Sequence, residues 1–138
     1  MRQATALARA QGLGDRLAFQ QGDIYDFTVH DPVDLVAMSR ALHHVWDQKE
    51  RVFSTLRDVL RPGGFAVIWE PAWPERREAL RDPRRRPMAF QNLGEHVQGN
   101  HFLRPDEIEA AFRAAGMKSS TYAFADGAEA IVVAEKPR

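Results

Sequence analysis

The chain contains no cysteine, which excludes disulfide bonds, thiolate zinc sites and cysteine nucleophiles. It also has no net charge, because 19 basic residues balance 19 acidic ones, and this argues against a nucleic-acid-binding surface. No apolar run approaches the roughly 18–20 residues that a membrane-spanning helix needs. The first residues read as a polar helix and not as an apolar signal segment, so a cytoplasmic location without membrane contact is expected.

Closely spaced glycines are also scarce. Gly12 and Gly14 form the one G-x-G pair, but a helical pattern precedes them, and Arg16 and Leu17 follow. A glycine loop that cradles a ligand needs a strand before it and a helix after it. The sequence therefore predicts no such loop.

What is present is enough for one folded domain over residues 1–138. Hydrophobic residues make up 44% of the chain and charged residues 28%, which permits a buried core. No stretch has the composition of a linker between two domains, and there is no internal repeat.

The middle of the chain alternates between strand and helix. Residues 33–38 are almost continuously apolar, which is typical of a strand covered on both faces. Residues 47–60 place apolar side chains at helical spacing, and Arg61–Gly64 should end that helix. Residues 65–69 form a second apolar strand, so the order is that of an α/β fold.

The flanking segments add further elements. Before the middle of the chain, the composition predicts a helix over 1–11 and a strand over 17–21. After it, residues 71–100 are rich in proline and arginine and should form short helical patches at best. A helix from Pro105 to Gly116 follows, and then strands over 118–124 and 130–134 joined by a hairpin loop over 125–127. The arginines of residues 76–86 are expected to lie in a solvated loop, with a lid over an anionic substrate as the alternative.

Several of these segments resemble the later motifs of class I S-adenosylmethionine-dependent methyltransferases. The resemblance rests on Gly22–Ile24, on Asp34–Val45 and on Leu56–Gly64, and residues 102–137 are similar to the C-terminal end of that family. Its most specific part is Ala41-Leu-His-His-Val45 combined with Val59-Leu-Arg-Pro-Gly-Gly64 at this spacing.

The resemblance implies a Rossmann-like, three-layer methyltransferase fold that is incomplete. In the family the strand order is 3-2-1-4-5-7-6, with strand 7 antiparallel. The predicted strands over 17–21, 33–38, 65–69, 118–124 and 130–134 would then be strands 3 to 7. Strands 1 and 2 have no counterpart, and with them the glycine-rich motif and the acidic residue that would hold the cofactor ribose are absent.

The missing strands should leave an edge of the sheet open. Strands 3 and 4 would be separated by a gap of roughly 14 Å, at about 4.8 Å per strand step. Either the chain is part of a longer protein, or strand 3 docks directly on strand 4, or another polypeptide fills the gap. A homo- or hetero-oligomer covering the exposed edge of strand 4 is therefore a possible partner arrangement.

The resemblance also assigns cofactor-binding candidates. An acid at the end of strand 3, here Asp23, would accept a hydrogen bond from the adenine amino group, and Ile24 would pack on the ring. Ser39 and Arg40 would touch the methionine part of S-adenosylmethionine, largely through backbone. Ligands in open α/β sheets do bind at the carboxyl ends of strands. The alternatives are an ordinary turn aspartate and a simple strand-to-loop transition.

His43 and His44 are the catalytic candidates. A histidine at this point can act as a general base on a substrate hydroxyl or amine, since imidazole titrates near neutral pH. The alternative is a packed or solvent-facing histidine with no chemical role. Glu70, Trp69 and Trp73 follow the next strand and are candidates to face the substrate. No metal site is predicted, because the histidines show no spaced ligand motif such as H-E-x-x-H.

The sequence thus favours S-adenosylmethionine-dependent methyl transfer to a small-molecule acceptor, carried out by an enzyme whose partial chain is not expected to be competent alone. The alternative is a non-catalytic, methyltransferase-like subunit that another chain completes. An unrelated α/β function would require the motif spacing to be coincidental.

Overall fold

A computed structural model describes the chain from Met1 to Arg138 as four helices on a four-stranded sheet. The helices are α1 (Arg2–Ala10), α2 (Lys49–Val59), α3 (Arg86–Val97) and α4 (Pro105–Ala114). The strands are β1 (Val33–Ser39), β2 (Leu60–Pro71), β3 (Lys118–Phe124) and β4 (Glu129–Glu135). No helix has the length and apolarity needed to cross a bilayer.

The sheet has the order β1-β2-β4-β3. β1 and β2 are parallel, with α2 as the crossover between them, whereas β4 pairs antiparallel with both β2 and β3. This is the 4-5-7-6 half of the expected order, including the antiparallel strand 7. The α/β class and the incomplete Rossmann-like architecture are confirmed.

The core lies on one face of this sheet. Ala66 and Ile68 of β2 and Val132 and Ala134 of β4 point inward, towards helices α2 and α4. The helices contribute an apolar stripe each, and the rings of Phe53 and Phe112 meet edge-on between them at 4.6 Å. These six residues belong to one cluster of thirteen buried residues, which fixes the helices against the sheet.

The opposite face of the sheet is largely uncovered. Leu35, Phe65, Trp69 and Tyr122 project from it and are 54%, 41%, 40% and 63% exposed. The expectation that residues 33–38 form a strand covered on both faces is therefore wrong for the outward face. An α/β sheet is normally covered on both sides, and here only one layer of helices is in place.

The predicted strand over residues 17–21 is also wrong, since these residues form no ladder with any strand. They do not dock on β1, which keeps an open edge. The physical reason is that a strand is stabilised by its neighbours, and no strand of this chain occupies the gap beside β1.

Residues 71–100 are more regular than their composition predicts. The second half of the segment forms the twelve-residue helix α3, which begins at Arg86 with Pro87 in its first turn. Proline is compatible with a helix at this position because its missing N–H would have no partner there anyway. The hairpin turn after β3 is confirmed, with Ala125, Asp126 and Gly127 all at positive φ.

The turn between α2 and the regular part of β2 depends on Gly64, and substitution tests this. A Cβ there would lie 2.9 Å from the Arg61 carbonyl oxygen and 3.1 Å from that of Asp34. We expect Gly64→Ala to lower the free energy of unfolding by roughly 1–3 kcal/mol, because backbone must move to admit the methyl group.

Urea unfolding followed by circular dichroism measures this loss. Gly22→Ala is the matched control, since a Cβ at Gly22 would meet nothing within 4 Å, and its effect should stay within about 0.5 kcal/mol. Equal unfolding midpoints for the two variants would contradict the tight packing at Gly64.

Candidate active site

The parallel strands β1 and β2 end side by side, with Ser39 paired to Trp69. The carboxyl ends of parallel strands lie at one edge of the sheet, and the loops that leave them build binding sites there. In this chain the loop after β1 contains the two candidate histidines, and β2 ends in Glu70. The candidate site is built where these two segments meet.

Arg40 turns the chain out of β1. Its backbone is left-handed, with φ of 50°, while its N–H continues the ladder by donating to the Trp69 carbonyl at 2.7 Å. The guanidinium reaches the Glu129 carboxylate at 2.8 Å, and the other oxygen of Glu129 accepts the Trp69 indole N–H at 2.8 Å. Glu129 therefore joins the ends of β1, β2 and β4, and this offsets the cost of an unusual φ for a non-glycine residue.

Glu70 is the centre of the site and is 1% exposed. One carboxylate oxygen accepts the Leu42 backbone N–H at 2.7 Å, and the other lies 2.6 Å from His43 Nδ1. Because the carboxylate accepts at both oxygens, Nδ1 of His43 must hold its hydrogen, and the neutral ring has its lone pair on Nε2. The pair fixes both the tautomer and the orientation of His43.

His43 itself is buried, with Phe102 edge-on to its ring at 5.3 Å. Its Nε2 has no hydrogen-bond partner in the chain, and the Glu95 carboxylate lies 3.7 Å away. A histidine held through Nδ1 with a free Nε2 has the geometry of a general base towards a bound hydroxyl group.

His44 occupies a different environment. It is half-exposed, and its Nδ1 accepts a hydrogen bond from the Asn100 amide at 3.0 Å. The same Nδ1 lies 3.7 Å from Glu95, whose Oε2 atom is buried without any hydrogen-bond partner. No residue orients His44 as Glu70 orients His43, so the structure distinguishes the two candidates that the sequence could not.

A cavity of about 480 Å³ lies beside this cluster and shares Phe102 with it. Its walls combine aromatic, amide and basic side chains, which are Trp73, Arg77, Leu80, Asn92, His96, His101, Phe102, Arg104 and Glu107. The cavity is of the size that holds a small molecule. A larger groove of about 540 Å³ lies between α2 and α4, and neither His43 nor Glu70 lines either cavity.

Asp23 and Ile24, the candidates for contact with adenine, lie in the loop after residues 17–21, which form no strand. Asp23 is exposed, and one of its oxygens accepts the Tyr25 backbone N–H at 3.0 Å, so the second oxygen has no partner. Ile24 is half-buried and packs against the core together with Tyr25. The turn-aspartate alternative is thus realised in the geometry, and it leaves one carboxylate oxygen free.

The structure brings His43 and His44 together, and it places Ser39 and Arg40 at the end of the strand that precedes them. Glu70 does not face the solvent, because its carboxylate is buried and hydrogen-bonded to His43. Glu95 was missed by sequence reasoning, because it lies 25 residues beyond Glu70 on a helix that the composition did not predict. No spacing motif links it to the histidines. The arginine-rich segment is also more ordered than a solvated loop, since Arg84 bonds to Asp82 and Asp126.

Comparison with known proteins finds similarity to methyltransferases. A family model described as a methyltransferase domain matches residues 1–64. An uncharacterized methyltransferase of Geobacillus kaustophilus is 27% identical over 116 residues, which are 80% of this chain and 53% of that protein. A second, from Geobacillus thermodenitrificans, is 26% identical over 115 residues with the same coverage. The chain thus spans about half the length of the curated relatives it matches.

Solved structures support the same fold. An O-methyltransferase family protein from Burkholderia thailandensis superposes with a TM-score of 0.75 at 17% identity, covering 97% of this chain and 40% of that one. A putative O-methyltransferase from Nostoc punctiforme gives 0.78 at 20% identity, covering 96% and 41%. The apo S-adenosylmethionine-dependent methyltransferase SibL also gives 0.78, at 19% identity, covering 98% and 40%. At these identities the likeness establishes the fold alone.

The placement of the loop beside Asp23 can be checked through Tyr25. Partial burial of its hydroxyl raises the pKa of Tyr25, the negative charges of Asp47 and Asp23 raise it further, and Arg51 opposes them. We expect Asp47→Asn to lower this pKa, because removing a nearby negative charge favours the tyrosinate.

Ultraviolet titration of the phenolate in a Tyr122→Phe background measures it, since the chain has only two tyrosines. Asp31→Asn serves as the matched control because Asp31 is not among the groups that shift Tyr25. An identical titration curve with and without Asp47 would contradict this arrangement.

Proposed function

We propose that this chain, which belongs to the class I S-adenosylmethionine-dependent methyltransferases, supplies the acceptor-activating half of a site that methylates a hydroxyl group of a small molecule. The observation that supports this most is the buried Glu70–His43 pair, which leaves Nε2 of His43 without a hydrogen-bond partner. The O-methyltransferase neighbours support the choice of an oxygen acceptor. The activity is that of the whole protein, of which these residues form part.

The proposed chemistry at His43 is proton removal. A hydroxyl group is a weak nucleophile until its proton leaves, and a base within hydrogen-bond reach removes that proton as the new bond forms. Glu70 stabilises the resulting imidazolium by its charge and, by holding the hydrogen on Nδ1, keeps the Nε2 lone pair available. Phe102 excludes water from one side of the imidazole, which strengthens the interaction between the two charges.

The residues that would hold S-adenosylmethionine fit only one part of it. The free oxygen of Asp23 can accept the adenine amino group, and the half-buried Ile24 offers an apolar contact to the ring. Ser39 and Arg40 remain candidates for the methionine side, although the Arg40 N–H and guanidinium are already bound to Trp69 and Glu129. When bound, the cofactor supplies an activated methyl group. No glycine-rich loop is present to hold its carboxylate end, so we expect weak binding by this chain alone.

A radiochemical assay tests the proposed role of His43. The whole protein that contains this chain is incubated with methyl-labelled S-adenosylmethionine at saturating concentration and a panel of small phenols and hydroxy acids, and methylated product is extracted. We expect transfer that His43→Gln reduces roughly 10²–10⁴-fold, which is the usual contribution of a general base. Glu70→Gln should lower kcat by at least about tenfold with little change in KM, because it no longer holds the imidazole tautomer.

His30→Gln is the matched control, since His30 is almost fully exposed and touches only Asp31. In a parallel equilibrium dialysis with labelled cofactor, Asp23→Asn should weaken binding while His43→Gln should not. Transfer that survives His43→Gln at the control rate would refute the base, and binding unchanged by Asp23→Asn would refute the adenine contact.

We also propose that a second copy of the chain covers the open edge of β1. The edge strand offers unpaired backbone groups, and Leu35 and Phe65 form an apolar patch on the outward face beside it. Exposed edges of this kind pair with another chain unless they are blunted, and β1 has neither a proline nor a basic residue that would blunt it.

Light scattering during size exclusion tests this association. We expect the chain to form dimers at micromolar concentration. Leu35→Lys should shift the population towards monomer, because it places a charge in the apolar patch that the dimer would bury. Val97→Lys introduces the same charge on α3 at a position that is 84% exposed, and it should leave the dimer intact. A monomeric unsubstituted chain at all concentrations would reject the proposal.

A further inference from the structure

Three atoms that could bind a metal ion lie close together, and one of them belongs to the candidate base His43. His43 Nε2 and His44 Nδ1 each lie 3.7 Å from Glu95 Oε2, and the three atoms lie within 4.8 Å of one another. The first two come from the loop after β1 and the third from α3, so the tertiary fold alone brings them together.

One oxygen of the Glu95 carboxylate lacks a hydrogen-bond partner. Its Oε2 is buried and has no hydrogen-bond partner, although a buried carboxylate oxygen without one is costly. The ring of His43 is also almost fully buried, and its Nε2 has no hydrogen-bond partner. A buried carboxylate oxygen and the unpaired Nε2 of a buried ring thus lie 3.7 Å apart on different elements without a hydrogen bond between them, which points to a ligand that both could bind.

The surrounding contacts prepare His43 to bind a metal. Glu70 holds the hydrogen on Nδ1, which leaves the Nε2 lone pair available, and a carboxylate behind a histidine is the usual support of a histidine metal ligand. His44 presents the lone pair of Nδ1, which now accepts a hydrogen bond from Asn100. An ion would replace that single hydrogen bond.

We propose that His43 Nε2, His44 Nδ1 and Glu95 Oε2 form a Zn²⁺ site with an open fourth position. Two imidazole nitrogens and one carboxylate oxygen are a donor set that zinc favours, whereas Mg²⁺ and Ca²⁺ favour oxygen ligands throughout. At zinc–ligand distances of about 2.1 Å, tetrahedral ligand atoms lie about 3.4 Å apart. The Glu95 oxygen is already close to this separation from each histidine nitrogen, at 3.7 Å, whereas the two nitrogens lie within 4.8 Å and would have to approach each other.

The other histidines do not belong to this site. His96 Nδ1 is hydrogen-bonded to the Asn100 carbonyl at 2.9 Å, and the ring of His101 lies edge-on to the ring of His96. The site is therefore a cluster of three residues, His43, His44 and Glu95.

Zinc at this position has a consequence that rests on the proposed function. The ion would occupy Nε2 of His43, which is the atom proposed to take the acceptor's proton, so zinc binding and methyl transfer would exclude each other. Zinc binding itself does not depend on that activity, because it is measured with neither cofactor nor acceptor present.

Calorimetric titration of the untagged chain with ZnCl₂ tests the site, since a histidine tag would bind the same ion. We expect one equivalent bound with a micromolar or lower Kd. Glu95→Gln and His44→Gln should each weaken binding at least about tenfold through the loss of one ligand. His30→Gln should bind as the unsubstituted chain does, because His30 lies on an exposed turn away from the cluster.

Co²⁺ provides an independent readout, because a cobalt ion with tetrahedral nitrogen and oxygen ligands absorbs in the visible region and a hydrated one hardly does. His44→Gln keeps the measurement interpretable if Glu95→Gln fails to fold, since His44 is half-exposed. Binding weaker than millimolar, or binding that both variants retain, would overturn the site. Zinc binding by this chain, together with no methyl transfer by the whole protein that contains it, would refute the proposed function and leave the zinc site standing.

Discussion

The Glu70 carboxylate is the interaction on which the candidate site depends. It lies buried at the end of β2 and holds the loop after β1 at two points, the Leu42 N–H and His43 Nδ1. A buried carboxylate that loses its hydrogen bonds carries a large desolvation cost, so detachment of the loop from Glu70 would be unfavourable. The same bonds that stabilise this end of the sheet also set the tautomer of His43, and folding therefore orients the candidate base.

The sheet is unevenly supported, and this limits what the chain can do. Its inward face is closed by α2 and α4 around Phe53 and Phe112, whereas its outward face and the β1 edge remain open. The candidate base His43 is held by Glu70 at the end of β2. The loop around Asp23, the proposed adenine contact, follows a segment without a strand partner, so it depends on a few local hydrogen bonds.

Much of the secondary structure follows from local sequence pattern. The apolar stripe of α2, the proline at the start of α4 and the alternation of β3 each define an element without reference to its neighbours, and the structure reproduces them. Two elements were not predicted correctly, for different reasons. Residues 17–21 need a partner strand to become a strand. The sequence of α3 separates apolar from polar residues only weakly, and its Phe90, Leu93 and Val97 are exposed in the fold.

The sequence by itself determined the α/β class, the family resemblance and the presence of histidines at the strand end, since each depends on residues close together in the chain. Only the tertiary structure decided which histidine is oriented. That choice depends on Glu70 and Glu95, which lie 27 and 52 residues beyond His43 and show no spacing signal. Contacts over such separations form through the packing of β2 and α3, and no local pattern encodes them.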